Sequence, residues 1–177
     1  MAKLTVELIP CLRDNYAYLV SDAGQGVWAV VDPSEPDPVI RALGERKLTH
    51  IVNTHHHPDH TGGNLALKAR YEAVVVGPEK DAARIPGIDV GVNEDKPWMF
   101  GRHEARILEI PAHTKAHVAY FFADEAIVFT GDTLFAMGCG RLFEGTPEMM
   151  WESLSKLMSL PDHTRIFCGH EYTLNSG

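Results

Sequence analysis

Cysteine is scarce. The 177-residue chain has three, Cys11, Cys139 and Cys168, an odd number set far apart. That argues against a disulfide framework and for a reducing compartment, so the expected location is the cytoplasm. Positive charge is also short: 16 Lys and Arg face 24 Asp and Glu, for a formal net charge of −8. Such a balance argues against general nucleic-acid binding. No apolar run approaches the ~20 residues needed to span a membrane. The first ten residues, Met1 to Pro10, alternate apolar and polar residues and lack the continuous apolar stretch of a signal peptide. Basic runs, low-complexity segments, repeats and linkers are missing, and nothing marks an obligate protein partner. Hydrophobic residues at 45% and charged residues at 23% are ordinary for a globular protein. The expectation is a single domain over residues 1–177, long enough to bury a core without staples.

Histidine is plentiful: there are ten, and four fall within six positions, His55 to His60. Around them the chain reads as strands broken by helices. Leu4 to Ile9, Ala17 to Ser21 and Val27 to Val31 have strand character, and Asp22-Ala-Gly-Gln-Gly26 has the glycine content of a hairpin connection. Pro38 to Arg46 predicts a short helix, Leu48 to Val52 a strand, Asn64 to Arg70 a helix and Ala73 to Val76 a strand. Asp81 to Gly91 carries no clear signal. Ala105 to Ile110, Val118 to Phe122, Ala126 to Phe129 and Arg165 to Cys168 predict further strands. Thr146 offers an N-cap with Pro147 in the first helical position, and Met150, Leu154, Leu157 and Met158 make the apolar face of a helix ending near Leu160. Strands in runs with interspersed helices predict an α/β or α+β fold in which helices cover sheets.

The chemistry lies in Thr54-His-His-His-Pro-Asp-His60, after a predicted strand and before a predicted helix. On extended backbone, side chains two apart point the same way. His55 and His57 can therefore converge on one metal, while Asp59 and His60, on the following turn, can reach a second. Imidazole and carboxylate are natural ligands for zinc-class ions. One motif is too small for two metals, and three further candidates each follow a predicted strand: His113, Asp132 and His170. Ligands at the ends of separate strands can gather at one edge of a sheet sandwich, and a carboxylate such as Asp132 can bridge two metals. Taken singly, His113 and His170 read as surface or capping groups and Asp132 as a turn residue. Together with the cluster they complete a dinuclear set. His56 should point away from the ligands, and His50 and His103 read as structural. His163 reads as a loop residue. His117 is open between a supporting role at the metals and a plain strand position.

These residues carry a family resemblance. Thr54 to His60, Ala112-His-Thr-Lys-Ala-His117, Thr130-Gly-Asp-Thr-Leu-Phe135 and Cys168-Gly-His-Glu-Tyr172 resemble the metal motifs of the metallo-β-lactamase superfamily. Ile9-Pro-Cys-Leu-Arg-Asp-Asn-Tyr16, Gly138-Cys-Gly-Arg-Leu-Phe-Glu-Gly-Thr146 and the final Cys-Gly-His-Glu-Tyr-Thr are similar to the glyoxalase II family, the hydroxyacylglutathione hydrolases. The resemblance implies a four-layer αββα sandwich with the metals at one edge. By motif position His55, His57 and His113 would bind the first metal, and Asp59, His60 and His170 the second. Asp132 would bridge them, so Asp59 and Asp132 are the carboxylates expected to take part in catalysis. Asp32, in Val31-Asp-Pro33, resembles an acid that supports the metal histidines, and reads equally as a turn starter.

The implied cofactor is a pair of metal ions, zinc first, with iron or manganese as alternatives. The implied substrate is a glutathione thioester, S-lactoylglutathione, cleaved by a water activated between the metals. Arg141 matches a basic residue that meets the glutathione carboxylate, and Tyr172 an aromatic lining the same site. Phe143 stands where the family usually has tyrosine, which removes one hydroxyl. Ala112 and Ala116 replace residues that are commonly glycine or cysteine, and Pro58 one that is often aromatic. Family members carry a helical C-terminal domain beyond the last motif, with further basic residues for glutathione; this sequence ends at Gly177, seven residues past His170. Three other readings share the motifs: a hydrolase of lactones, esters or β-lactams; a mononuclear iron sulfur dioxygenase; and a metal-binding fragment with an incomplete substrate site.

Overall fold

The computed structural model describes residues 3–111, 114–132 and 147–169. The strands are β1 (Thr5–Cys11), β2 (Asn15–Asp22), β3 (Val27–Val31), β4 (His50–Val52), β5 (Val74–Pro78), β6 (Val90–Val92), β7 (Trp98–Phe100), β8 (His103–Glu109), β9 (Val118–Phe122), β10 (Ile127–Gly131) and β11 (Arg165–Cys168). The helices are α1 (Pro36–Leu43), α2 (Pro58–Thr61), α3 (Asn64–Tyr71) and α4 (Pro147–Met158).

Two mixed sheets form. The first has the order β1-β2-β3-β4-β5-β6 and the second β11-β10-β9-β8-β7. Hairpins join β1 to β2 and β2 to β3. The latter turns through a 3-10 segment, Ala23–Gln25, and ends on Gly26 at φ 69°, a left-handed conformation that glycine adopts without strain. From β3 onward the first sheet is parallel, and the helix α1 crosses from β3 to β4 as a parallel connection requires.

Period-two alternation sorts the strand residues into layers. Ala29 and Val31 of β3, Val52 of β4 and Val76 of β5 face Ala105, Ile107, Val118, Tyr120, Phe122, Ile127 and Phe129 of the second sheet, and this forms the core between the sheets. Their neighbours Val30, Ile51 and Val75 turn outward to Val39 and Leu43 of α1 and Leu67 of α3. On the far side Leu108, Ala119, Phe121 and Val128 meet Leu157 of α4. The layers therefore run helix, sheet, sheet, helix, as the resemblance implies.

The structure differs from the sequence reading in detail. The residues from Asp81 to Gly91 fold as the end of a 3-10 segment, Glu79–Arg84, and the start of β6, which pairs in parallel with β5. On α4 the inward face is Ser153 and Leu157, whereas Met158 is 75% exposed. Ser153 turns in because its hydroxyl donates to the carbonyl of Pro111 at 2.6 Å.

Candidate metal centre

The centre is built where strands end. Val31 of β3 pairs with Val52 of β4 in parallel register, so the residues after each strand, Asp32 and then Asn53-Thr54, emerge side by side. The amide of Asp32 donates to the carbonyl of Val52 at 2.9 Å. Beyond Thr54 the chain carries His55, His56 and His57 and then turns at once into α2, with His57 as N-cap and Pro58 in the first turn, where proline needs no amide donor. The amide of His60 donates to the carbonyl of His57 at 2.9 Å, which brings His60 back under the cluster. Asp132 arrives from the second sheet, directly after β10.

These side chains converge. His55, His57 and Asp132 offer ligand atoms within 4.8 Å of one another, and so do Asp59, His60 and Asp132. Asp132 belongs to both groups: its Oδ2 lies 3.5 Å from Nε2 of His55 and 3.0 Å from Nε2 of His60. Oδ2 of Asp59 lies 3.6 Å from the same Nε2 of His60. His55, His60 and Asp132 are buried, and His57 and Asp59 are the partly open members. His113, His170, Arg141, Phe143 and Tyr172 lie outside the described residues.

Hydrogen bonds fix which nitrogen each imidazole presents. A carboxylate only accepts, so the Thr54 hydroxyl donates to Oδ2 of Asp32 at 2.7 Å. Its single proton spent, Thr54 Oγ1 accepts from Nδ1 of His55 at 2.9 Å, which leaves the lone pair on Nε2, the atom that faces Asp132. His60 is set by ion pairing: its Nδ1 lies 3.0 Å from Oδ2 of Asp32 and its Nε2 faces Asp132. Asp32 also accepts the amide of Thr54 at 2.8 Å. Of the two readings of Asp32, the structure selects the acid that supports the histidines.

The charges follow from the same packing. Burial pushes the His55 pKa well below that of an ordinary histidine, with His60 and His117 adding to the effect. His60 goes the other way: burial opposes its charge, but the carboxylates of Asp132 and Asp32 outweigh burial and raise its pKa well above the usual value. A buried imidazole held neutral, as His55 is, beside carboxylates is the donor chemistry of a borderline divalent cation.

The remaining histidines separate cleanly. His56 turns away from the centre to the buried Asp81, Nδ1 to Oδ2 at 2.7 Å, and Asp81 is also held by Arg84. His117 precedes β9, stacks on the His55 ring with centroids 4.4 Å apart, and reaches the carbonyl of Thr130 at 3.0 Å through Nε2. It therefore supports the centre. His50 packs edge-on against Trp98 and Phe100, and burial lowers its pKa. His103 pairs with Asp22 at 2.8 Å. His163 lies in the turn before β11.

Sequence reasoning missed three supports. Thr54 relays between Asp32 and His55, and its place directly before the first histidine is the signal. Asn53 donates to the carbonyl of His60 at 3.0 Å, accepts from Asn64 at 2.7 Å through its side chain, and accepts from the Tyr120 hydroxyl at 2.7 Å through its carbonyl. Glycine marks the third. Gly131 has φ 57°, and a Cβ there would strike Thr54 and the His117 ring, while a Cβ on Gly169 would strike the His60 ring. Both glycines sit beside motif residues because the backbone passes against the imidazoles.

The layered fold and its histidine–carboxylate edge define the class: the chain matches the metallo-beta-lactamase superfamily over residues 12–170 and belongs to it. Within that class it is 52% identical over 172 residues to the hydroxyacylglutathione hydrolase of Methylococcus capsulatus, a match covering 96% of this chain and 67% of the relative. It is 48% identical over 172 residues to the enzyme of the same name from Pelagibacter ubique, covering 96% of this chain and 72% of the relative. It belongs to the family that carries this name. Among solved structures it resembles ETHE1 from Myxococcus xanthus at 30% identity and a TM-score of 0.82, covering 96% of this chain and 76% of that one. It also resembles TTHA1623 in a di-iron-bound form at 27% identity and a TM-score of 0.78, covering 94% and 92% of the two chains.

Proposed function

We propose that the chain is a metal-dependent thioester hydrolase that converts a 2-hydroxyacylglutathione, S-lactoylglutathione first, to glutathione and a 2-hydroxy acid. The identity of about half the residues to hydroxyacylglutathione hydrolases, across 96% of this chain, carries the choice of reaction. The sharing of Asp132 between two donor groups carries the choice of a two-metal centre. His55, His57, Asp132 and, by motif, His113 would hold one ion; Asp59, His60, Asp132 and, by motif, His170 the other. Zinc is the metal that this nitrogen and oxygen set favours, and the di-iron form of TTHA1623 makes iron the first alternative. When bound, such a pair supplies Lewis acidity, which acidifies water and polarises a carbonyl.

The chain's own residues set the stage for that chemistry. Asp32 and Thr54 stand against Nδ1 of His60 and His55, so both rings turn Nε2 toward Asp132. Asp132 is locked between His55 and His60. Asp59, with a side chain 37% exposed, lies where the buried cluster opens to solvent, the side from which a thioester would approach. By motif, Arg141 would pair with a glutathione carboxylate, with Phe143 and Tyr172 lining the same subsite; a fixed cation there would offset the chain's negative charge. One domain over residues 1–177 would hold all of these groups. The buried thiol of Cys11, which is in no disulfide, supports a cytoplasmic setting for a glutathione-linked reaction.

The test is steady-state hydrolysis of S-D-lactoylglutathione by the zinc-loaded chain, followed by loss of the thioester. Saturable turnover that disappears on metal removal is expected. No turnover above the metal-free control, with lactones or β-lactams cleaved instead, would overturn the substrate assignment. One iron per chain and oxygen uptake with a persulfide would point to the dioxygenase reading, against which the convergence of Asp59, His60 and Asp132 counts.

A further inference from the structure

The tip of the β1–β2 hairpin reaches into the centre. Asn15, the first residue of β2, lies opposite Cys11 in the register and is 4% exposed. Its Nδ2 lies 3.2 Å from the Asp59 carbonyl oxygen and 3.2 Å from Asp59 Oδ2. A carboxamide has two N–H donors, so it can serve both oxygens at once. Oδ2 is also the atom of Asp59 that faces Nε2 of His60. Ser34 adds a hydroxyl bond to the same Asp59 carbonyl at 2.5 Å.

We propose that Asn15 is a positioning residue for the second metal: its buried carboxamide aims the Asp59 carboxylate at the point shared with His60 and Asp132. This rests on the two-metal reading above. Asp59 is a ligand that such help would serve. Its side chain is 37% exposed, and a surface carboxylate that swings freely loses rotamer entropy each time it binds. Tethered at both its carbonyl and Oδ2, it is ordered before the ion arrives. The next residue extends the clamp. The Tyr16 amide donates to the carbonyl of Gly169 at 2.7 Å, and Gly169 lies against the His60 ring and directly precedes His170 in sequence. Two consecutive residues of one hairpin thus tie down Asp59 and the strand end that leads to His170, both assigned to the same ion.

The experiment titrates zinc into the metal-free 177-residue chain against a chromophoric chelator, with cobalt spectra as a second readout. Wild type should take two ions in two resolvable steps. Asn15→Leu, close in shape but without donors, should weaken the second step about 10–100-fold and leave the first unchanged. Asn15→Ala gives the same reading should leucine prevent folding. Asn15→Gln keeps the carboxamide and should bind the second ion more tightly than either. Wild-type affinity for both ions in the leucine or alanine variant overturns the proposal. So does equal weakening of both steps, or a glutamine variant no better than leucine. A wild-type chain that takes up a single ion at every concentration would sink the two-metal reading itself, a result distinct from a variant-specific failure.

Discussion

Oδ2 of Asp32 lies 3.0 Å from Nδ1 of His60 and 2.7 Å from the hydroxyl of Thr54, so one oxygen governs both imidazoles that face Asp132. Asp32→Asn separates this role from shape. Asp32 has φ 52°, a left-handed conformation that asparagine tolerates, so the backbone should hold. An amide nitrogen turned toward His60 would be a donor facing a donor. To escape it, His60 would move its proton to Nε2, the atom needed for metal. The expected result is a loss of metal affinity of about 10–100-fold, with the metal-free fold intact. Metal content after dialysis and circular dichroism of the metal-free chain check it; full zinc retention would refute the tautomer argument.

Gly131, the last residue of β10, directly precedes Asp132 and has φ 57°, with Thr54 and His117 Nε2 where a side chain would go. A left-handed non-glycine residue costs about 1–2 kcal/mol, and forcing a methyl into packed atoms adds about 1–3 kcal/mol. Gly131→Ala should therefore destabilise the metal-free chain by about 2–5 kcal/mol. It should also displace His117 from the His55 ring. Urea unfolding measures the first effect and zinc affinity the second. A variant within about 0.5 kcal/mol of wild type would show that the loop yields freely.

Most strands that carry the core were legible as continuous apolar runs, as in Val118–Phe122, which is buried along its whole length because both faces of its sheet are covered. β6 and β7 were not read as strands in their own right. Each is three residues long, Val90–Val92 and Trp98–Phe100, and exists because a neighbouring strand offers an edge. The inward turn of Ser153 on α4 was hidden for a similar reason, since its partner is a carbonyl 42 positions away. At the centre, ligands announced themselves through residue type after a strand. Of their supports only Asp32 and His117 were singled out, each with a second reading left open. Asp32 and Thr54 are 22 positions apart and meet through the β3–β4 register, and Asn15 and Asp59 are 44 apart. Serine, threonine and asparagine have many ordinary uses in turns, so only tertiary contact gives them meaning here.

Asp22 and His103 join the end of β2 to the start of β8, and so one sheet to the other. The hydrogen bond from His103 holds the Asp22 pKa below the ordinary carboxylate value, with Gln25 contributing. A carboxylate with a depressed folded-state pKa stabilises the fold above its unfolded pKa, about 3.9, and loses that contribution as pH falls through the folded value. The stability gap between wild type and Asp22→Asn should therefore be constant from pH 7 to about 5 and close below about 4. Urea midpoints of the metal-free proteins across that range test the sign. A gap that widens on acidification would refute the assignment.

Asp132 is the group both donor sets share, and its removal separates a bridge from a mere neighbour. In the metal-free chain its carboxylate lies between two buried imidazoles and, with Asp32, raises the pKa of one of them, His60. Asp132→Ala removes that charge and should lower the His60 pKa, with Asp32 still opposing burial. With metals present, a carboxylate that serves one ion would cost that ion alone. A shared one should cost affinity at both and reduce hydrolysis by about a thousandfold or more, the scale of losing a principal electrostatic group. Metal stoichiometry and steady-state rates on the same samples decide between these. Two tightly held ions and near-normal turnover in Asp132→Ala would remove Asp132 from the centre, and loss of one ion with the other at wild-type affinity would reduce it to a terminal ligand.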